Sequence, residues 1–74
     1  MKIRNLGPNQ TEVEAGNLTI LVSYSTPVAY CDNGKGFFRT EEHFSPTTTR
    51  HINRWLDGRT ATTVPQSTLD DLLG

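Results

Sequence analysis

Residues 45–58 read SPTTTRHINRWLDG and predict a capped amphipathic helix. Ser45 is a favoured helix N-cap, and Pro46 suits the first helical position because the N–H that proline lacks would have no partner there. Gly58 can end the helix in a left-handed conformation, so the helix with its caps is predicted to cover residues 45–57. At 100° per residue, the inner face comprises Thr48, His51, Ile52, Trp55 and Leu56.

The other side of this helix is polar, with Arg50, Arg54 and Asp57 directed towards solvent. Phe44 precedes the cap, where an apolar residue often packs back on the first turns. A helix with one apolar face must bury that face against another element. The residues before it predict a small β-sheet on which it packs.

Four short strands are predicted before the helix, at residues 11–14, 18–24, 27–31 and 37–40. The clearest is 18–24, which is rich in β-branched and aromatic side chains. Its alternation predicts one face made of Leu18, Ile20, Val22 and Tyr24. Pro27 cannot donate to a sheet ladder, so it is expected to open its strand or to lie at an edge.

The turns between these strands are marked by glycine. Gly16-Asn17 predicts a hairpin, and Asn33-Gly34 is expected to supply the positive φ of a second one. After the helix, residues 59–63 read as a polar connector. Val64-Pro65 then introduces a short second helix, whose apolar stripe comprises Leu69, Leu72 and Leu73. That stripe must dock on the domain or on a partner, which leaves a homodimer open.

The predicted fold class is therefore α+β: an antiparallel β-meander of about four strands with one helix packed on it and a short C-terminal helix. Seventy-four residues predict a single domain over residues 1–74. The 34% hydrophobic content and the net charge of −1 favour a folded chain over a disordered one.

Cysteine usage and hydropathy predict a cytoplasmic protein. Cys31 is the single cysteine, so no intrachain disulfide can form. The sequence carries neither a signal-peptide pattern nor an apolar run long enough to span a bilayer. We therefore expect no membrane partner.

Basic residues concentrate in residues 35–59, where five basic side chains face three acidic ones. Arg50 and Arg54 lie one turn apart on the outer helix face, and Arg39, Lys35 and Arg59 are expected nearby. Two interpretations stay open: a phosphate-contacting patch, or a solvated face whose charge Asp57 partly offsets. The candidate partner-binding residues among them are Arg50, Arg54, Arg39 and Lys35.

Phe37 and Phe38 are adjacent, so a strand would direct them to opposite faces. One ring should be in the core. The other is exposed unless the C-terminal helix covers it, which makes Phe38 a further candidate for partner contact.

Catalytic and metal chemistry find little support in the sequence. Cys31 and His51 could act as nucleophile and base, but no third orienting group is indicated. Together with His43 they lack the short paired spacings of zinc sites. Lys35 and Gly36 do not complete a phosphate-binding loop. We expect no enzyme, no catalytic residue, no metal and no cofactor, and a packed His51 hydrogen-bonded across to the sheet.

Two segments resemble a known family: SYSTPVA at residues 23–29 and SPTTTRHINRWL at residues 45–56. They are similar to very short uncharacterised proteins encoded by tailed bacteriophages and by prophage-bearing bacteria, and the resemblance extends over about residues 18–73. It implies expression inside an infected bacterium. That family has no established activity, so the resemblance nominates no catalytic residue.

Small phage proteins of this kind often bind host machinery, including defence systems. The expected function is that of a non-enzymatic phage accessory protein that binds a host or defence-system protein, with an anti-CRISPR-like inhibitor as the leading example. The alternative is a nucleic-acid-binding accessory protein that uses Arg50, Arg54 and Arg39.

Overall fold

Six strands and two helices are formed by residues 2–73, the part of the chain that the computed structural model describes; the Leu73 side chain is outside it. In chain order the elements are β1 (Lys2–Gly7), β2 (Gln10–Ala15), β3 (Leu18–Ser23), β4 (Thr26–Asp32), β5 (Gly36–Thr40), α1 (Pro46–Leu56), β6 (Ala61–Val64) and α2 (Gln66–Leu73). The α+β class is confirmed.

The strands form one sheet in the order β1-β2-β3-β4-β5-β6. The first five pair antiparallel through short loops, as in a meander. β5 and β6 pair parallel. Parallel neighbours need a long crossover connection, and α1 is that connection.

Helix α1 confirms the sequence prediction closely. The Ser45 side chain accepts a hydrogen bond from the Thr48 backbone N–H at 3.1 Å, and Pro46 opens the first turn. The helix ends in left-handed backbone at Asp57 (φ 51°) and Gly58 (φ 82°). The left-handed region thus begins one residue earlier than expected. Phe44 is 44% exposed, so its predicted packing on the first turns is at most partial.

The two helices cover opposite faces of the sheet, and each has its own core. On one face Ile52 and Leu56 of α1 pack against Leu21, Val28 and Ala29. On the other face, towards α2, the buried cluster comprises Val13, Ile20, Tyr30 and Leu69. Leu69 is fully buried, so α2 docks on its own chain. Leu72 packs beside it, whereas the Leu73 side chain lies outside the described residues.

A β-bulge in β4 lets two successive residues serve the same core. The register with β3 shifts between Leu21 and Val22, so Val28 has no direct partner. Val28 and Ala29 therefore both belong to the α1-side cluster, which a regular strand would not allow. Pro27 lies just before the bulge, one residue after the strand begins at Thr26, and β5 pairs only from Ala29 onwards. Its missing N–H thus removes no bond to β5.

The prediction of about four strands was wrong, because β1 and β6 are strands as well. β1 is exposed from Lys2 to Asn5, and its two apolar side chains, Ile3 and Leu6, fall on opposite faces, so its sequence shows no continuous apolar face. β6 is four residues long, with exposed Thr62 and Thr63. Both are edge strands, and their pairing comes from a neighbour strand rather than from a local apolar pattern.

Two details of the predicted turns also needed correction. The β4–β5 loop has three residues, 33–35, and its positive φ falls on Gly36 (106°) and not at Asn33-Gly34. Tyr24 does not extend β3. It occupies the β3–β4 turn with φ 60° and is 54% exposed.

Candidate functional site

A groove opens on the α1 side of the sheet because one helix cannot cover six strands. Six strands span about 24 Å across the sheet, whereas a helix is about 10 Å wide. The buried partners of α1 lie in β3 and β4. The part of the sheet towards β1 and β2 is therefore left uncovered beside the C-terminal half of the helix.

This groove, called the arginine groove below, has a volume of about 480 Å³. Its strand residues include Arg4, Glu12, Thr19, Cys31 and Phe37, one from each of β1 to β5. Leu6 and Gln10 continue the surface towards the β1–β2 turn. The wall is formed by Arg54 and Trp55 of α1 and by Arg59, which follows the helix.

The charged residues of the groove are three arginines and one glutamate, in a chain whose net charge is −1. Glu12 accepts a hydrogen bond from the Trp55 indole N–H at 2.8 Å. Arg4 lies 3.9 Å from the same carboxylate, with its side chain 68% exposed. The groove therefore carries a net positive charge. Its concave shape strengthens the electrostatic attraction of anions.

Aromatic rings give the groove an apolar side. The Arg59 guanidinium carbon lies 5.2 Å from the centroid of the Phe37 ring, within cation–π range. Phe37 in turn meets Trp55 edge to face at 5.7 Å between centroids. Arg59 also donates to the Leu56 carbonyl at 3.3 Å. These contacts hold the arginine against the wall of the groove.

The four basic residues that the sequence nominated differ in their surroundings. Arg54 lines the groove. Arg50 is exposed on the same helix but is not among the groove residues. Arg39 is half-buried and donates to the Asn53 side chain at 3.4 Å. Lys35 is exposed in the β4–β5 loop. Of the four, only Arg54 is a groove residue, and Arg39 lies beside α1 through its bond to Asn53.

Phe38 is less accessible than expected. It points to the α2 side, is half-buried, and stacks on Tyr30 with 4.7 Å between ring centroids. It packs against the cluster that contains Leu69 of α2. Phe38 was expected to be exposed only if the C-terminal helix left it uncovered, and the helix does not leave it uncovered.

Sequence reasoning did not nominate Arg4, Glu12 and Trp55 as groove residues. Arg4 belongs to a strand that was not predicted, and Glu12 reaches Trp55 across 43 residues of sequence. The cross-strand pair of Arg4 and Glu12 would have been a usable signal once β1 was recognised. Arg59 was considered only as a neighbour of the predicted patch.

A second polar cluster lies under the N-terminal half of α1. Ser23 Oγ and His51 Nδ1 share a hydrogen bond of 2.8 Å, and Thr48 Oγ1 lies 3.3 Å from the same serine oxygen. Ser23 is 2% exposed and His51 is 9% exposed. The expectation of a packed histidine bonded across to the sheet is confirmed. Because the serine oxygen is buried, this pair ties α1 to β3 and offers no open nucleophile.

The proposed pairing of Cys31 with His51 is not formed. Cys31 lines the arginine groove, whereas His51 bonds to Ser23 in the buried cluster. His43 is exposed. Among residues 2–73, no group of three or more histidine, cysteine, aspartate or glutamate side chains is placed to hold a metal ion.

Comparison with known proteins yields one family. A family of unknown function, DUF8033, matches residues 1–71. No curated protein and no solved structure matches the chain. Within the described residues, neither helix is long and apolar enough to cross a membrane. Since the family match covers almost the whole chain, the chain belongs to DUF8033, a family of unknown function.

Proposed function

We propose that this chain is a non-enzymatic binding protein whose arginine groove receives an acidic segment of another protein. The observation that carries the proposal is the placement of Arg4, Arg54 and Arg59 around one concave surface with a single carboxylate. Arginine and aromatic side chains are enriched at the energetic centres of protein interfaces. Trp55 and Phe37 supply the aromatic part here.

The proposed partner is a host or defence-system protein in a phage-infected bacterium, with inhibition of a CRISPR-type system as the leading example. This part rests on the resemblance of residues 23–29 and 45–56 to short phage and prophage proteins. A small phage protein that binds such a target needs an exposed complementary surface and no reaction centre. The non-catalytic role is further supported by the burial of Ser23 beside His51, which keeps that oxygen from a substrate.

Affinity capture with matched arginine variants tests the proposal. A tagged copy is incubated with lysate of infected bacteria, and the captured proteins are identified by mass spectrometry. Arg54→Glu should abolish capture of the partner because it reverses a charge in the groove. Arg50→Glu is the control, since it makes the same change one turn away and outside the groove. Equal capture by both variants, or no capture by the unaltered protein, would overturn the proposal.

A second candidate function is binding of nucleic acid, and the combination of arginines with aromatic rings favours it. A basic groove with stacking platforms is the usual design of single-strand binders. In this case Arg4, Arg54 and Arg59 would contact phosphates, in place of the Arg50, Arg54 and Arg39 set expected from the sequence. The logarithm of the binding constant should then fall with the logarithm of salt concentration, with a slope of about −0.7 per phosphate contact on single strands. Absence of binding at low salt would exclude it.

A further inference from the structure

The outer edge of β1 has no strand neighbour within residues 2–73. β1 is the first strand in the sheet order, so one side of its backbone faces β2 and the other side is open. An open edge presents unpaired N–H and C=O groups in alternation, which makes it a template for another strand. Ile3, the second residue of β1, is 67% exposed, the highest exposure among the large hydrophobic residues described.

The side chains of β1 set the chemistry of a strand that could pair with it. Alternation places Lys2 and Arg4 on the α1 side and Ile3 on the opposite side. β2, which pairs with the inner side of β1, is an example of a strand whose side chains complement those of β1. Its acidic residues Glu14 and Glu12 stand opposite Lys2 and Arg4, and its Val13 stands opposite Ile3.

Pairing with the β1 strand of a second copy of this chain is unfavourable when it is centred on Ile3 or on Arg4. Antiparallel pairing of two β1 strands centred on Ile3 would set Lys2 against Arg4. Pairing centred on Arg4 would set Arg4 against itself. Both registers place like charges directly opposite each other, which is destabilising. The β6 strand of a second copy would not complement β1 either, because it consists of alanine, threonine and valine and has no acidic residue to place opposite Lys2 and Arg4.

We propose that β1 accepts an extended acidic and apolar segment of the partner protein as a seventh strand. The acidic side chains of that segment lie over Lys2 and Arg4, and an apolar side chain lies beside Ile3. This inference rests on the proposed protein-binding function. It deepens that function because Arg4 belongs to both the edge and the arginine groove, so the added strand runs along the rim of the groove.

The probe for this site is a capped peptide with the sequence of residues 10–15, QTEVEA, which repeats the pattern of β2. It is titrated into the full-length, ¹⁵N-labelled protein and followed by NMR. Main-chain pairing should shift the β1 amide signals and slow exchange of the outward-facing β1 amides. A peptide of the same sequence, N-methylated at alternate residues on its pairing edge, should not bind, because it keeps the charges but loses the donors.

Two further comparisons test the side-chain chemistry. The peptide QTKVKA should not bind, because its lysines would face Lys2 and Arg4. Ile3→Thr should weaken binding of QTEVEA by about two- to fivefold, the size of one cross-strand pair, whereas Ile3→Val should retain it. Both variants should fold, because the Ile3 side chain is mostly exposed.

Binding of the N-methylated peptide as tightly as the unmodified one would overturn strand addition and indicate attraction by charge alone. Failure of QTEVEA to bind would overturn it as well. Neither result would decide the proposed function, which is judged separately by the comparison of Arg54→Glu with Arg50→Glu. The two proposals therefore fail in distinguishable ways.

Discussion

Trp55 and Glu12 are 43 residues apart in the sequence and are joined by a hydrogen bond in which the indole Nε1–H donates to the carboxylate at 2.8 Å. This bond connects α1 to β2 across the arginine groove. The Glu12 side chain is only 13% exposed, so water is a limited substitute for the indole. The position of the groove wall depends on this contact.

Replacing Trp55 by phenylalanine should lower the free energy of unfolding by about 1.5–3 kcal/mol, the range for a hydrogen bond to a charged group. Urea unfolding followed by circular dichroism measures the change. The control is the same substitution in a Glu12→Ala background, where the loss should be clearly smaller. An equal loss in both backgrounds would show that the bond contributes nothing to stability.

The Ser23–His51 bond predicts a structural role for both residues. Ser23→Ala leaves a buried imidazole nitrogen without its partner and should lower the free energy of unfolding by about 1–3 kcal/mol. Ser25→Ala, in the neighbouring exposed turn, should change it little. Capture of the partner by folded Ser23→Ala protein should be retained. Specific loss of capture with unchanged stability would contradict this structural role.

The N-cap of α1 predicts a measurable contribution from Ser45. Ser45→Ala removes the acceptor for the Thr48 N–H and should cost about 0.5–2 kcal/mol of stability. Ser45→Asp supplies another preferred capping oxygen and should retain most of the stability. Thermal unfolding of the two variants side by side is the measurement. Equal destabilisation by alanine and aspartate would argue against the cap.

Tyr24 has a positive φ of 60° in the β3–β4 turn, which is unfavourable for a residue with a Cβ. Left-handed backbone costs such a residue about 1–2 kcal/mol, whereas glycine adopts it freely. Replacement by glycine relieves this cost, but it also makes the unfolded chain more flexible, which lowers the free energy of unfolding by about 0.4–1 kcal/mol. Tyr24→Gly should therefore raise the free energy of unfolding, by up to about 1.6 kcal/mol.

The comparison for Tyr24 is the next residue in the same turn. Ser25 is not among the described residues with positive φ, so Ser25→Gly should lower stability through the unfolded state alone. Urea unfolding of both variants gives the answer. Destabilisation by Tyr24→Gly equal to that by Ser25→Gly would show that the φ value stores no strain.

Tyr30 predicts a loss of stability at alkaline pH. Burial raises the pKa of Tyr30 above its ordinary value of 10.0, and the nearby Asp32 carboxylate raises it further. The folded state therefore holds the phenol proton more tightly than the unfolded state. The stabilisation is complete below about pH 10 and is lost as the pH rises through the raised pKa of the folded state.

Tyr30→Phe should remove this part of the alkaline loss, which unfolding in urea at about pH 8 and about pH 11 would reveal. Tyr24→Phe, which removes the hydroxyl of the exposed tyrosine, is the control and should lose as much stability at alkaline pH as the unaltered protein. An alkaline loss of the same size in Tyr30→Phe would assign the effect to other groups.

Local sequence signals predicted the elements that carry their own pattern. α1 has a capping serine, a proline at the first position and an apolar stripe, and its bounds were predicted to within a residue. β3 has a run of β-branched residues and was shortened only at Tyr24. β1 and β6 lack such patterns because edge strands bury little, so their pairing could not be derived from either segment alone.

The candidate site was less accessible to sequence reasoning. Arg54 was nominated from helix periodicity, and that prediction placed it on the side away from the core. Arg4 and Glu12 needed the β1–β2 register, and Arg59 needed the parallel return of the chain to β6. Charge counting along the chain grouped residues 35–59, whereas the groove gathers residues from β1 to β5 and from α1 and the residue Arg59 that follows it.

Caps and periodicity act over a few residues, so the sequence was enough to predict the α+β class, the capped helix α1 and the leucine stripe of α2. Only the folded chain revealed the two edge strands β1 and β6, the side of the sheet that each helix covers, and the convergence of Arg4, Arg54 and Arg59. These features depend on contacts between segments tens of residues apart, whose geometry follows from sheet register and helix placement. The physical reason is that local patterns specify which face is apolar, whereas only packing specifies what that face meets.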